Sequence, residues 1–286
     1  MLEEEWILMT NLSMSVECLD TLLGPITNDD FILVGSLTGQ GKTELLVNIA
    51  MENAFKGKKI HYIALNHEEH EILRRIKYKK IAEIYYQKPI ERENDIHFND
   101  IHFIDWDSGK LESKVKHIEK EINDQLKKGL NDLHIFCGRY PFELANMIQM
   151  IEKIKDETDL IIIDDLFFIE TKIEKTREGM EEMLNTIKNL SLKIKKPIIL
   201  ATHITRTLDP MEFFTTDFDE PHNIKSITKF FTKVVLMSPG INDKIRDHRY
   251  VDTYFDITKK RQIAKARCSW NFTKNQYEKH WVSIDV

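Results

Sequence analysis

The chain has 286 residues, 42% of them hydrophobic, which suffices for one large core or two modest ones and excludes a disordered segment. Its 41 basic and 47 acidic residues leave a formal charge of −6, so no bulk positive field attracts a polyanion and any nucleic-acid contact must be local. Cys18, Cys137 and Cys268 lie far apart and form no Cys-x-x-Cys pair, which argues against a disulfide framework and a zinc site and fits a reducing compartment. The opening Met1-Leu2-Glu3-Glu4-Glu5 lacks the basic flank of a signal peptide, and no apolar run approaches the ~20 residues of a membrane span. The expectation is a soluble, intracellular (cytoplasmic) protein with no membrane partner.

In chain order, residues 31–35 form an apolar run that ends in a glycine-bearing loop, and Leu45, Leu46, Ile49 and Ala50 follow at helical spacing. That is strand, loop, helix. Residues 60–65 have the β-branched and aromatic content of a strand, and Ile72, Leu73, Ile76 and Ile81 mark a helix over 68–86. The polar stretch 88–158 holds two strand-like pieces, 101–106 and 133–137, and helical patterns near 111–128 and 141–155. Residues 160–163 are a continuous apolar run closed by Asp164-Asp165, a helix is expected over 178–194, and 197–201 read as another buried strand before Thr202-His203. Unbroken rather than alternating apolar strands mark a sheet covered on both faces. From 233 the pattern turns to closely spaced strands at 233–237, 250–258, 266–272 and 281–284, with Pro239-Gly240 as a turn, which predicts antiparallel strands extending the sheet. No linker or repeat divides the chain, so it reads as one α/β domain: a lead-in over 1–30, a core over 31–238 and a β-extension over 239–286.

The segment Ser36-Leu37-Thr38-Gly39-Gln40-Gly41-Lys42-Thr43 lies between predicted strand and predicted helix, the context a phosphate-binding P-loop requires. Glycines let backbone N–H groups curl around phosphates, the helix N-terminus adds positive potential, Lys42 reaches the β- and γ-phosphates, and Thr43 can ligate Mg²⁺. Ser36 stands where the usual pattern has its first glycine, and Glu44 closes the segment. The bland reading is a glycine-rich turn before a helix. A P-loop also needs an acidic group on the metal side at the end of a buried strand, and Asp164 supplies it, although such a residue is often only a turn or cap signal. The expected ligands are ATP and Mg²⁺, the ion on Thr43 and Asp164. His67-Glu68-Glu69-His70 lacks the spacing of a metalloprotease motif and reads as a surface helix start.

These motifs, in this order, resemble the RecA-like hexameric replicative helicases of the DnaB, phage primase-helicase and Twinkle type. The resemblance covers roughly residues 14–285: the P-loop; Ile63-Ala-Leu-Asn-His-Glu-Glu with Arg75 after it; Leu160-Ile-Ile-Ile-Asp164; Pro197-Ile-Ile-Leu-Ala-Thr-His-Ile-Thr-Arg206; and Ile257-Thr-Lys-Lys-Arg261. It implies a RecA-like fold with a mainly parallel sheet flanked by helices, ATP hydrolysis, single-stranded DNA as partner, a homo-oligomer of the hexameric-ring type, and replication partner proteins. Where the family has a water-activating glutamate, this chain has Asn66; Glu68 and Glu69 stand nearby as substitutes, and Asp165 is a further carboxylate within reach. By the same resemblance His203 is a γ-phosphate sensor, and Lys259 and Arg261 cross to a neighbour's nucleotide, Arg261 as an arginine finger.

DNA-binding loops are expected at 166–177, with Lys172, Lys175 and Arg177, and at 206–225, with Arg206 and Lys225. The second loop also carries Asp209, Glu212, Asp217, Asp219 and Glu220, so a solvated acidic loop is a competing reading. Three functions compete: an ATP-driven DNA translocase or helicase, a RecA-like ATP-binding accessory or recombination mediator with little hydrolysis, and a small-molecule phosphotransferase.

Overall fold

The computed structural model describes residues 11–87, 101–138, 142–170, 177–203, 215–216, 222–223, 227–239, 250–259, 262–271, 273–274 and 276–285. The elements run α1 (Glu17–Leu23), β1 (Phe31–Ser36), α2 (Lys42–Phe55), β2 (Ile60–Ala64), α3 (Glu69–Gln87), α4 (Phe103–Asp107), α5 (Glu112–Gly129) and β3 (Leu133–Cys137). They continue with β4 (Phe142–Glu143), α6 (Leu144–Ile154), β5 (Leu160–Asp164), β6 (Ile169–Glu170), α7 (Arg177–Ile194) and β7 (Ile198–His203). Last come β8 (Thr215–Thr216), β9 (His222–Asn223), β10 (Lys233–Pro239), β11 (Tyr250–Lys259), β12 (Gln262–Asn271) and β13 (Gln276–Asp285).

Nine strands form one sheet in the order β13-β12-β11-β10-β1-β7-β5-β2-β3. From β10 to β3 every neighbouring pair is parallel, and β10 to β13 pair antiparallel. The unbroken apolar runs follow from this layering. In β5, Leu160 and Ile162 enter the core beneath α2, α3 and α5, while Ile161 and Ile163 enter a second core beneath α6 and α7. Both faces are dry, so every position of such a strand is apolar. Helix α2 is buried nearly all round, with Leu45, Leu46, Val47, Ile49, Ala50 and Met51 at 2% exposure or less, because sheet and neighbouring helices enclose it. Its position is thereby determined by packing, and so is that of the loop preceding it.

The predicted strand at 101–106 is instead the short helix α4. Ile101 N donates to the Tyr86 hydroxyl at 3.1 Å, and Ile101 O accepts from the Tyr78 hydroxyl at 3.0 Å. Side chains of α3 thus satisfy the backbone groups a ladder would have paired. Phe103 and Trp106 then pack on Tyr78. A short aromatic and apolar run has no period that separates these outcomes. The predicted strands at 266–272 and 281–284 are longer than expected, because β12 pairs with β11 from Tyr250↔Asn271 to Lys259↔Gln262 and with β13 from Ile263↔Asp285 to Asn271↔Gln276, and these ladders pull polar residues into register. Phe272 and the turn glycine Gly240 lie outside the described residues.

Helix α1 packs on these C-terminal strands, and the Cys18 and Cys268 sulfurs meet at 2.8 Å although 250 positions separate them. Sequence spacing alone had set them apart; the fold juxtaposes the two thiols. Among the described residues no helix is long and apolar enough to cross a membrane.

Candidate nucleotide site

The C-terminal ends of β1, β7, β5 and β2 converge on one cleft, the position where open α/β sheets present ligands. Its volume is about 330 Å³, within the range of small-molecule sites. The whole segment from Ser36 to Glu44 lines it, joined by Asn66, His67, Arg75, Asp164, Asp165 and His203. Gly39 and Gly41 have φ of 79° and 82°, a left-handed backbone that lets the loop turn back over the start of α2. Gly41 is the N-cap residue, so the unpaired N–H groups of the first helical turn face the cleft with the positive end of the helix dipole. Ser36 is fully buried, its hydroxyl donating to Leu37 O at 3.0 Å, and takes the first-glycine position without obstructing the loop.

Asp164 ends β5, Asp165 follows it, and the two divide the polar work. Asp164 Oδ2 accepts from the Thr43 hydroxyl and from the Tyr62 hydroxyl, each at 2.9 Å. Lys42 Nζ stands 3.8 Å from Asp164 but 2.9 Å from Asp165 Oδ2, which also faces His203 Nδ1 at 2.6 Å. Burial by itself would raise the Asp165 pKa; the hydrogen bond from His203 and the charge of Lys42 outweigh it and hold the carboxyl below its ordinary value. Tyr62, fully buried beside Asp164, has its phenol pushed well up, first by burial and then by that carboxylate's charge, so it stays a donor. Arg75 forms an ion pair with Glu44 at the cleft wall.

The structure therefore brings together Ser36, Thr38, Gly39, Gln40, Gly41, Lys42, Thr43, Glu44, Asp164 and His203 from the sequence reading. It does not bring Glu68 or Glu69 there: both are exposed at the start of α3 and neither lines the cleft, whereas Asn66 does. The reason is local. The chain leaves the cleft after His67, and the Glu68 N–H is held by the Glu71 carboxylate at 3.0 Å. His67, read as part of a surface helix start, points inward: its Nε2 is 3.3 Å from Thr43 Oγ1 and its Nδ1 3.4 Å from Glu71.

Sequence reasoning missed Tyr62 and His67 as parts of the site, and it named Glu44 and Arg75 without pairing them. Tyr62 sits in an ordinary strand pattern, and only its register opposite Ile162, two positions before Ala64↔Asp164, reveals it.

Lys259 lies at the far end of the sheet. Through the pairings Lys259↔Lys233 and Ile32↔Lys233 it is level with the beginning of β1, while the P-loop follows the end of that strand. Its Nζ lies over Gly24, 3.3 Å from where a side chain there would begin. Lys172, Lys175, Arg206, Lys225 and Arg261 lie outside the described residues; Arg177 opens α7.

Residues 11–212 match the family described as DnaB-like helicase C terminal domain. The chain belongs to that family. Among solved structures, this DnaB-like domain is similar to one described as an ATPase domain, with a TM-score of 0.70 at 10% identity over 96% of this chain and 95% of that one. It is also similar to "The Structure Of A DnaB-Like Replicative Helicase And Its Interactions With Primase", with a TM-score of 0.59 at 13% identity, covering 88% of this chain and 57% of that one. At such identities the likeness shows the fold, which is RecA-like as the motif order implied. No curated protein matches the chain.

Proposed function

We propose that this DnaB-like domain is one ATPase domain spanning the chain, acting as an ATP-driven translocase on single-stranded DNA during replication, with its active sites completed between copies in a ring. The observation that carries the proposal is the position of Lys259. Four residues of β1 separate its level from that of the P-loop end, about 13 Å at the rise of a strand. Lys259 thus stands away from its own Lys42, and a second subunit is the natural recipient of the basic pair it opens.

At the site, Lys42 and the N–H groups of the loop bind the β- and γ-phosphates of ATP, and water attack releases ADP and phosphate. The oxygen donors Thr43 and Asp164, 2.9 Å apart, fit a divalent ion and would hold magnesium. Bound there, magnesium supplies neutralisation of charge on the transferred phosphoryl group. His203 and Asp165, joined to Lys42, link the γ-phosphate position to the chain after β7, where Arg206 and Lys225 would contact DNA. Lys172, Lys175 and Arg177 form the second DNA loop of this proposal. Replication proteins are the expected partners of such a ring.

A second reading has its own observation. Asn66 lines the cleft at the place where the resemblance has a glutamate, and this favours an ATP-binding accessory or recombination mediator with little turnover. ATP hydrolysis measured over a range of protein concentrations, with and without single-stranded DNA, in wild type and Arg261→Ala, separates the two. DNA-stimulated turnover that rises with concentration and vanishes in Arg261→Ala supports the translocase; tight ATP binding without turnover in any condition supports the accessory role.

A further inference from the structure

The segment after β2 contains an arrangement that the helicase reading does not use. Thr43 has one hydroxyl proton, directed to Asp164 Oδ2 at 2.9 Å. The same Thr43 oxygen also stands 3.3 Å from His67 Nε2, and the opposite ring nitrogen, Nδ1, faces the Glu71 carboxylate at 3.4 Å, one helical turn along. In the tautomer that places the proton on Nδ1, toward Glu71, the Nε2 lone pair is turned toward Thr43 Oγ1, whose own lone pairs are its only remaining hydrogen-bonding capacity. Two acceptors facing each other are stabilised by a shared cation. The spacings suit one: adjacent donors on an octahedral ion with bonds of about 2.1 Å stand about 3.0 Å apart, and the distances from Thr43 Oγ1 are 2.9 and 3.3 Å. A carboxylate orienting a histidine toward an ion is the usual outer support of a metal-binding imidazole.

We propose that His67 Nε2 is a ligand of the divalent ion that accompanies the nucleotide, with Glu71 as its positioning residue, so that the site takes a first-row transition ion in preference to Mg²⁺. The inference rests on the nucleotide-site reading above. Its chemical basis is that Mg²⁺ favours oxygen donors, whereas imidazole nitrogen favours transition ions.

The test uses the full chain, Mn²⁺ as the probe ion and a non-hydrolysable ATP analogue. Pulsed electron paramagnetic resonance of the ternary complex is expected to show coupling from a directly bound ¹⁴N that changes on ¹⁵N-histidine labelling and is absent in His67→Ala. The ratio of Mn²⁺ to Mg²⁺ affinity, measured by competition, should fall about tenfold or more in His67→Ala and by a lesser factor in Glu71→Gln. Nucleotide-dependent Mn²⁺ binding that requires Lys42 but shows no ¹⁴N coupling in wild type overturns the proposal and leaves the nucleotide site standing. Wild type that binds no Mn²⁺ with the analogue overturns both. The wild-type spectrum decides even if a variant fails to fold.

Discussion

Lys42 and Asp165 are the most deeply buried ion pair at the site, at 6% and 1% side-chain exposure and 2.9 Å apart, and a double-mutant cycle on them tests the electrostatic account directly. At an effective dielectric near 20 their attraction is about 6 kcal/mol, and the desolvation of both groups cancels most of it. Removing one partner strands the other charge in the interior, which typically costs about 3–5 kcal/mol. Each has a fallback: Lys42 retains Asp164 at 3.8 Å, and Asp165 retains His203 at 2.6 Å. Both Lys42→Met and Asp165→Asn are therefore expected near the low end, about 3 kcal/mol each. The double variant leaves no stranded charge and should lose only about 4 kcal/mol, a coupling of about 2 kcal/mol. Urea unfolding at pH 7, followed by tryptophan fluorescence with Trp106 and Trp270 as buried reporters, measures all four proteins. Additivity of the two single losses within about 0.5 kcal/mol would refute the pairing.

Tyr62→Phe removes a donor to a buried carboxylate and should destabilise the fold by about 2 kcal/mol in the same assay; an unchanged urea midpoint means that Asp164 does not depend on it. Gly41→Ala has room, since the nearest atom would be 3.8 Å away, yet φ of 82° penalises any side chain, so a loss of about 1–2 kcal/mol is expected from strain alone and a neutral result counts against the left-handed turn. His61 has its pKa pushed down to about 4, first by burial and then by His134 stacked on it at 4.7 Å. Between that value and the ordinary one near 6.5 the unfolded chain binds a proton that the folded chain does not, so this contribution is complete above pH 6.5 and is lost as pH falls toward 4. The ring is only half-buried, which reduces the expected loss between pH 7 and pH 4 to about 1–2 kcal/mol. Equal pH dependence of the urea midpoint in wild type and His61→Gln would dismiss it.

What the sequence by itself determined is local in origin. The strand-loop-helix unit around Lys42 and Thr43 was legible because an apolar run, two glycines and a helical pattern adjoin within some twenty residues, and each is a short-range preference of the backbone. Asp164 was legible for the same reason, as the acidic end of a run too apolar to be anything but a buried strand. The assignment of Lys42 to Asp165 rather than Asp164, the use of Tyr62, the inward turn of His67 and the outward course of Glu68 and Glu69 were decided by tertiary structure alone. Each depends on which strand lies beside which and in what register: β2 next to β5, and β1 next to β7. Cys18 and Cys268 make the same point, brought into contact by the packing of α1 on the last strands. Local preferences say which face a side chain takes, but only the closed sheet sets what stands opposite it, because contact across strands is determined by the burial of the whole core and not by any neighbouring residue.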